Sequence, residues 1–172
     1  MIFLIGFMGC GKTTIGKKLA EHLGWNWFDT DQLIEEKYEL KIKEIFEKYG
    51  EERFREMETE ALKELKGEQG IVMTGGGMAG RKVNRDLMRE KGKVIWLNCS
   101  FEELAKRISN DDTRPLVTQK GLAGVKSLYE ERLPLYDSAA DLAIETAELT
   151  IDETIKKVLA CLKVDHPGET NR

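Results

Sequence analysis

Residues 6–13 read GFMGCGKT and match the pattern GxxxxGK followed by Ser or Thr. The run IFLI at 2–5, directly before this stretch, is continuously apolar, as in a strand whose sheet is covered on both faces. After it, Ile15, Leu19 and Leu23 recur every four residues, and Gly24 provides a helix stop. The sequence therefore predicts a strand, a glycine-rich turn and a helix in direct succession.

A turn of this kind is suited to binding phosphate. Its glycines let successive backbone N–H groups point at phosphate oxygens, and the helix N-terminus adds a field that favours anions. Lys12 would reach the β- and γ-phosphates of a nucleotide, and the Thr13 hydroxyl would ligate Mg²⁺. Chance would produce the pattern in roughly one chain in a hundred of this length. The flanking strand and helix make a chance match rarer still.

Short apolar runs alternate with longer amphipathic ones along the rest of the chain, which is typical of βαβ units around a parallel sheet. Further strands are predicted at 25–28, 71–74, 94–97 and 142–144. Further helices are predicted at 30–66, in pieces broken near Gly50, and at 80–91, 101–108, 123–138 and 151–162. The expected fold is a three-layer α/β P-loop fold, with a five-stranded parallel sheet flanked by helices. A single domain would span 1–163, and 164–172 would form a frayed C-terminal tail.

Residues 109–122 are polar and contain Pro115 and Gly121. The sequence predicts a loop here, and it is long for so small a domain. Loops of that length are often lids that close over a site. We therefore expect a mobile lid at about 109–122.

The composition excludes several other classes of protein. The 172 residues are 41% apolar and 34% charged with a net charge of −4, which indicates a globular chain without the basic excess of a nucleic-acid track. The apolar run at the N-terminus lacks a basic leader and is too short to span a bilayer, so we expect a cytoplasmic protein with no membrane contact. Three widely spaced cysteines indicate free thiols.

Carboxylates for a metal ion are expected at the end of the second strand. Many P-loop ATPases carry an aspartate after the third strand, but Thr74 and three glycines stand there in this chain. Asp29 ends the second strand instead, and the carboxyl ends of parallel strands converge where ligands bind. Asp31 would lie beside it. The alternative for Asp31 is a helix N-cap, which favours aspartate.

The helix predicted at 51–66 carries a charge on its apolar face. Glu58 falls within the stripe formed by Phe54, Met57, Ala61, Leu62 and Leu65. Because an unpaired buried charge is costly, Glu58 needs a partner, and Arg55 three residues earlier is within reach. The alternative is an exposed ion pair of little energetic weight.

Three glycines at 75–77 follow the third strand. Because glycine loses the most conformational entropy on folding, such a run is costly, and a ligand that approaches bare backbone is a physical reason for it. The alternative is a tight turn into the next helix.

Six segments together resemble the shikimate kinase family, a group of small P-loop kinases similar to the nucleoside monophosphate kinases. They occur in the family's order and extend the resemblance over residues 2–162. They are GFMGCGKTT at 6–14, DTDQLIE at 29–35, IFEKYGEERFREMETEAL at 45–62, TGGG at 74–77, TRPLV at 113–117 and ERLPLY at 131–136.

The resemblance implies transfer of the γ-phosphoryl group of ATP to the 3-hydroxyl of shikimate, in a monomer with Mg²⁺ as cofactor and no nucleic acid. The acceptor-binding helical segment would be 30–66. The implied catalytic residues are Lys12, Asp31 and Arg114. The implied shikimate ligands are Asp31, Arg55, Gly76, Gly77 and Arg132. The implied ATP ligands are Gly9, Cys10, Gly11, Lys12, Thr13, Thr14, Arg107 and Arg114. The implied metal ligands are Thr13 and Asp29.

Two alternatives remain open at this point. A gluconate kinase or a nucleotide kinase of the same fold would share the phosphate-binding turn, but Arg55 and Arg132 with TGGG suit a carboxylated ring better. A regulatory module that only binds nucleotide would not need acceptor-side groups such as Asp31.

Overall fold

Strands and helices alternate along the chain, as the apolar pattern predicts. The computed structural model describes residues 1–67, 69–109 and 115–164, and the backbone alone at 108–109, 115–120 and 163–164. The strands are β1 Ile2–Ile5, β2 Trp27–Asp29, β3 Ile71–Met73, β4 Lys93–Asn98 and β5 Leu142–Glu145. The helices are α1 Lys12–Leu23, α2 Thr30–Tyr38, α3 Ile42–Glu64, α4 Lys82–Lys91, α5 Phe101–Ser109, α6 Pro115–Ala139 and α7 Ile151–Val164. A short 3₁₀ helix, Met78–Gly80, follows β3.

Within these residues the five strands form one parallel sheet in the order β2-β3-β1-β4-β5. The central strand β1 pairs with β3 on one side and β4 on the other, and each of its residues is at most 3% exposed. The chain turns to one side of β1 after α1 and to the other side after α4. The carboxyl end of β1 therefore lies where the strand order reverses, which is the place where open α/β sheets bind ligands.

The structure confirms the five-stranded parallel sheet and the helix break near Gly50, where φ is 78°. The prediction of a loop over 109–122 is wrong for residues 115–120, which form the first part of α6. Proline is tolerated in the first turn of a helix, so Pro115 begins α6 and does not interrupt it. Gly121, with φ of 63°, breaks α6 shortly afterwards. Residues 110–114, the rest of the predicted lid, lie outside the described residues.

Two smaller differences concern element ends. The second strand begins at Trp27, two residues later than predicted, because the Trp25 N–H still donates to the Ala20 carbonyl at 2.9 Å and completes the turn from α1. Helix α7 continues through Val164, and the predicted tail beyond it lies outside the described residues.

The segment 30–66 has an apolar cluster of its own. Its buried members all come from α2 and α3; they are Ile34, Ile45, Phe54, Met57 and Ala61. Four partly buried residues pack against them: Tyr38, Leu40, Ile42 and Phe46. Leu62 and Leu65 face the main core around the sheet instead. Helices α2 and α3 thus form a small body that carries Asp31 and Arg55 beside the sheet.

None of the helices in the described part of the chain combines the length and apolarity needed to cross a bilayer.

Candidate active site

The turn after β1 forms the first part of the site. Gly9 and Gly11 have φ of 82° and 95°, a left-handed conformation that glycine adopts without steric cost. Lys12 Nζ donates to the carbonyls of Gly6 at 2.8 Å and Phe7 at 3.0 Å, which holds the ammonium group against the turn. Helix α1 begins at Lys12 without a side-chain cap and without an acidic residue in its first turn. Its N-terminal N–H groups therefore stay available for an anion.

A cavity of about 380 Å³ opens over this turn. It brings together the phosphate-binding turn, the end of β2 and the turn after β3. Its lining includes Gly9, Gly11, Lys12, Thr13, Thr14, Asp29, Asp31, Thr74, Gly75 and Gly76. Cys10, which was predicted beside ATP, is 1% exposed and is not part of this lining. Arg107 on α5 donates from Nη1 to the Gly9 carbonyl at 3.4 Å, at the rim of the turn.

Asp29 and not Asp31 caps helix α2. Asp29 Oδ1 accepts hydrogen bonds from the backbone N–H groups of Asp31 at 3.0 Å and Gln32 at 3.3 Å. The alternative role of Asp31 as the N-cap is therefore wrong, because Asp31 lies inside the first turn of the helix. In the described structure its Oδ1 atom is buried and has no hydrogen-bond partner. A buried acceptor without a partner is costly, so this atom is a candidate to receive a hydrogen bond from a ligand.

Two carboxyl groups meet at Gly75. A Cβ atom on Gly75 would lie 2.5 Å from Asp31 Oδ1 and 3.2 Å from Glu58 Oε1. Burial and the charge of Asp29 raise the pKa of Asp31 to about 6, against the opposing effect of Lys12. Burial raises the pKa of Glu58 to about 7, against the opposing effect of Arg55. Glu58 Oε1, like Asp31 Oδ1, lacks a hydrogen-bond partner among the described residues.

Arg55 is the partner that Glu58 was predicted to need. Arg55 Nη1 donates to Glu58 Oε2 at 3.0 Å, and Nη2 donates to Glu51 Oε1 at 2.8 Å. The alternative of an exposed pair is wrong, because the side chain of Glu58 is only 1% exposed and that of Arg55 18%. A Cβ atom on Gly77 would overlap the Arg55 guanidinium group. Glycine is thus required at 77 for Arg55 to lie against the backbone.

Arg132 approaches the same turn from α6. Its guanidinium group lies over the Phe7 ring, 5.6 Å from the ring centroid, and its Nη1 is 3.2 Å from the position of a Cβ atom on Gly76. A second cavity, of about 210 Å³, lies between Arg55 and Arg132. Gly76 lines both cavities, so the two-arginine cavity joins the phosphate-binding cavity at this residue.

The structure brings most of the predicted residues to these two cavities. Arg114 lies outside the described residues. Three residues that contact the 75–76 turn were not predicted as ligands: Glu58, Thr30 and Tyr136. Thr30 Oγ1 accepts from the Gly75 N–H at 2.9 Å, and Tyr136 Oη donates to the Gly76 carbonyl at 2.6 Å. Glu58 carried a signal, its charge on an apolar stripe, whereas a threonine at a helix start and a tyrosine on a helix carry none.

A phosphate-binding turn on a 2-3-1-4-5 parallel sheet, with the Asp31 carboxyl group in its cavity and a second cavity lined by two arginines joined to it, defines a phosphotransferase of the P-loop kinase class. The family model described as shikimate kinase matches residues 8–163. The chain belongs to the shikimate kinase family.

Relatives agree with this assignment in sequence and in structure. The shikimate kinase of Sulfurihydrogenibium sp. is 40% identical over 94% of this chain and 97% of its own length. That of Moorella thermoacetica is 45% identical over 84% of each chain. The structure of the Acinetobacter baumannii shikimate kinase in complex with shikimate superimposes with a TM-score of 0.89 at 35% identity, covering 97% of this chain and 94% of that one.

A gluconokinase from Sinorhizobium meliloti also superimposes, with a TM-score of 0.59 at 16% identity over 95% of this chain and 91% of that chain. That likeness reflects the fold alone. It gives the alternative of a gluconate kinase no support from the site residues.

The raised pKa of Glu58 predicts how stability responds to pH. Because the folded-state pKa of about 7 lies above the ordinary value of 4.5, the folded protein binds this proton more tightly than the unfolded chain does. The contribution of Glu58 to the free energy of unfolding therefore falls as pH rises from about 4.5 to about 7. Glu58→Gln removes that contribution, so its stability relative to the wild type should rise over this window in urea denaturation.

Glu60→Gln is the matched control on the same helix. Hydrogen bonds from Tyr38 and Arg53 lower the pKa of Glu60, so this variant should show no such rise. Parallel stability curves for Glu58→Gln and the wild type would contradict the prediction.

Proposed function

We propose that this protein transfers the γ-phosphoryl group of ATP to the 3-hydroxyl of shikimate, which gives shikimate 3-phosphate and ADP. The observation that carries the proposal is the junction of the two cavities at Gly76, with the carboxyl group of Asp31 on the phosphate side and two arginines on the other. Membership of the family supplies the identity of the substrates. Phosphoryl transfer depends mainly on positioning and on charge stabilisation, and the site offers groups for both.

The nucleotide end of the site would hold the phosphates of ATP. Lys12 would exchange its two carbonyl contacts for phosphate oxygens, and the N–H groups of the turn would contact the same phosphates. Thr14 lines the cavity, and Arg107 lies at its rim. Arg114 would add a further positive charge, a role that rests on the family resemblance.

The residues around Asp29 fit Mg²⁺. Thr13 and Asp29 offer hard oxygen atoms to the same cavity, and the N-cap uses only Oδ1 of Asp29. In the described part of the chain, no group of three or more His, Cys, Asp and Glu side chains is arranged to hold a metal ion. Mg²⁺ is commonly bound through one or two protein oxygens together with phosphates and water, and when bound it would neutralise phosphate charge.

The acceptor would lie between Arg55 and Arg132. Two guanidinium groups on either side of one cavity match a carboxylate, which accepts charge-assisted hydrogen bonds from both. The N–H groups of Gly76 and Gly77 would contact the acceptor, because both residues line the cavity and neither carries a side chain of its own. This arrangement favours a carboxylated ring over an uncharged sugar or a nucleoside monophosphate.

Asp31 would take the proton from the acceptor hydroxyl. Its Oδ1 is buried and without a partner among the described residues, which leaves it ready to accept a hydrogen bond from that hydroxyl. Its pKa of about 6 keeps it mostly ionised at neutral pH while making it a better base than an ordinary aspartate. A monomeric state, a cytoplasmic location and a lid over 109–122 remain predictions.

Measurement of ADP release with a panel of acceptors tests the proposed activity. We expect turnover with shikimate that exceeds turnover with quinate, gluconate and nucleoside monophosphates. A preference for gluconate or a nucleotide would identify a different kinase of this fold. ADP binding with no turnover of any acceptor would instead favour a regulatory module.

Asp31→Asn should lower kcat by at least about 100-fold, the usual scale for loss of a general base. The substitution keeps the size of the side chain and one acceptor oxygen. Helix α2 should still form, because Asp29 supplies its cap. Shikimate and ADP should still bind in equilibrium titrations. Glu36→Gln, an exposed change one turn further along the helix, is the control. Near wild-type turnover by Asp31→Asn would exclude the proposed role.

Arg132→Ala should raise the KM for shikimate by about 30-fold or more while changing the KM for ATP little. The reason is that loss of a charge-assisted hydrogen bond to a charged ligand costs about 2 kcal/mol or more. Arg55→Ala should act in the same direction. Arg53→Ala is the matched control, because Arg53 binds Glu56 and Glu60 and does not line the acceptor cavity. Equal increases in both KM values would indicate that these arginines support the fold only.

A further inference from the structure

Tyr136 makes a long-range contact that the chemistry above does not use. It lies on α6 one helical turn beyond Arg132 and is 2% exposed, with its ring 5.9 Å from the Trp96 ring between centroids. Its hydroxyl donates to the Gly76 carbonyl at 2.6 Å. Burial raises the pKa of Tyr136, against the opposing effect of Arg132, so the phenol stays protonated and remains a donor.

The Gly76 carbonyl and the Gly77 N–H belong to one peptide unit. That unit is planar and trans, so its N–H points away from its carbonyl oxygen. The hydrogen bond that directs the carbonyl towards α6 therefore also sets the direction of the Gly77 N–H. Within the described residues this N–H has no hydrogen-bond acceptor. Gly77 lines the cavity between Arg55 and Arg132.

Without this bond little else would fix the orientation of the peptide. The neighbouring turn bonds join Met78 N to the Gly75 carbonyl at 3.1 Å and Gly80 N to the Gly77 carbonyl at 2.9 Å. Neither bond includes an atom of the 76–77 peptide unit. Glycine residues on both sides leave that unit unusually free to rotate.

We infer that Tyr136 is a positioning residue for the acceptor: its hydroxyl holds the 76–77 peptide so that the Gly77 N–H faces the cavity between Arg55 and Arg132. The inference rests on the proposed function, in which the acceptor carboxylate occupies that cavity. Tyr136 acts through Gly76 and not on the reacting atoms. Arg132 and Tyr136 lie on the same face of α6. This helix therefore provides the Arg132 cation for the acceptor and also the hydroxyl that orients the Gly77 N–H.

Tyr136→Phe tests this role because it removes only the hydroxyl and keeps the ring against Trp96. We expect the KM for shikimate to rise about tenfold, equivalent to about 1.4 kcal/mol, while the KM for ATP stays within about twofold. The Kd for shikimate, measured by calorimetry without nucleotide, should rise by a similar factor. Tyr129→Phe is the matched control, since Tyr129 on the same helix donates to the Cys99 carbonyl at 3.1 Å, away from Gly76.

The outcomes separate positioning from stability. A shortage of folded enzyme lowers the apparent kcat but changes neither KM, so a destabilised Tyr136→Phe still gives a clear answer. An unchanged KM for shikimate overturns the inference, and so does an equal rise in both KM values or an equal rise in Tyr129→Phe. Failure of the wild type to phosphorylate shikimate would overturn the proposed function instead.

Discussion

Glycine at 75, 76 and 77 lets charged side chains from three parts of the chain share the space around one backbone turn. Asp31 occupies the position of a side chain at 75 and Glu58 borders it, Arg132 borders that of a side chain at 76, and Arg55 occupies that of a side chain at 77. A Cβ atom on Gly75 or Gly77 would displace one of these groups. Both the approach of a ligand and the packing of these charged groups therefore require residues without a Cβ atom at this turn.

The charges around the turn depend on one another. Desolvation raises the pKa of both Asp31 and Glu58; the charge of Asp29 adds to the rise at Asp31, and the charge of Asp31 adds to the rise at Glu58. Lys12 and Arg55 lower the pKa of Asp31, and Arg55 lowers that of Glu58, so these cations favour the ionised carboxylates. An incoming carboxylate would share Arg55 with Glu58. Binding of the acceptor would therefore draw on the same guanidinium group that favours the ionised form of Glu58.

The sequence predicts those parts of the site whose signals are local or periodic. The strand, turn and helix around 6–13 follow from spacing alone, and the partner of Glu58 follows from a charge on an apolar stripe. Which aspartate caps α2 depends on where β2 ends, and an error of one or two residues there exchanges the roles of Asp29 and Asp31. Pro115 suggests a loop because proline breaks helices, but it is compatible with a first turn. The contact of Tyr136 with Gly76 spans 60 residues and leaves no local pattern.

The side chains of the site come from helices that pack in different apolar clusters. Lys12 stands on α1 against the sheet, whereas Asp31 and Arg55 stand on α2 and α3, which have a separate apolar cluster. Arg132 and Tyr136 come from α6. The 75–77 turn is the point where these helices meet, through Thr30 to Gly75, Arg55 beside Gly77 and Tyr136 to Gly76. Because side chains from α2, α3 and α6 contact this one turn, its backbone fixes where Asp31, Arg55 and Arg132 lie relative to one another.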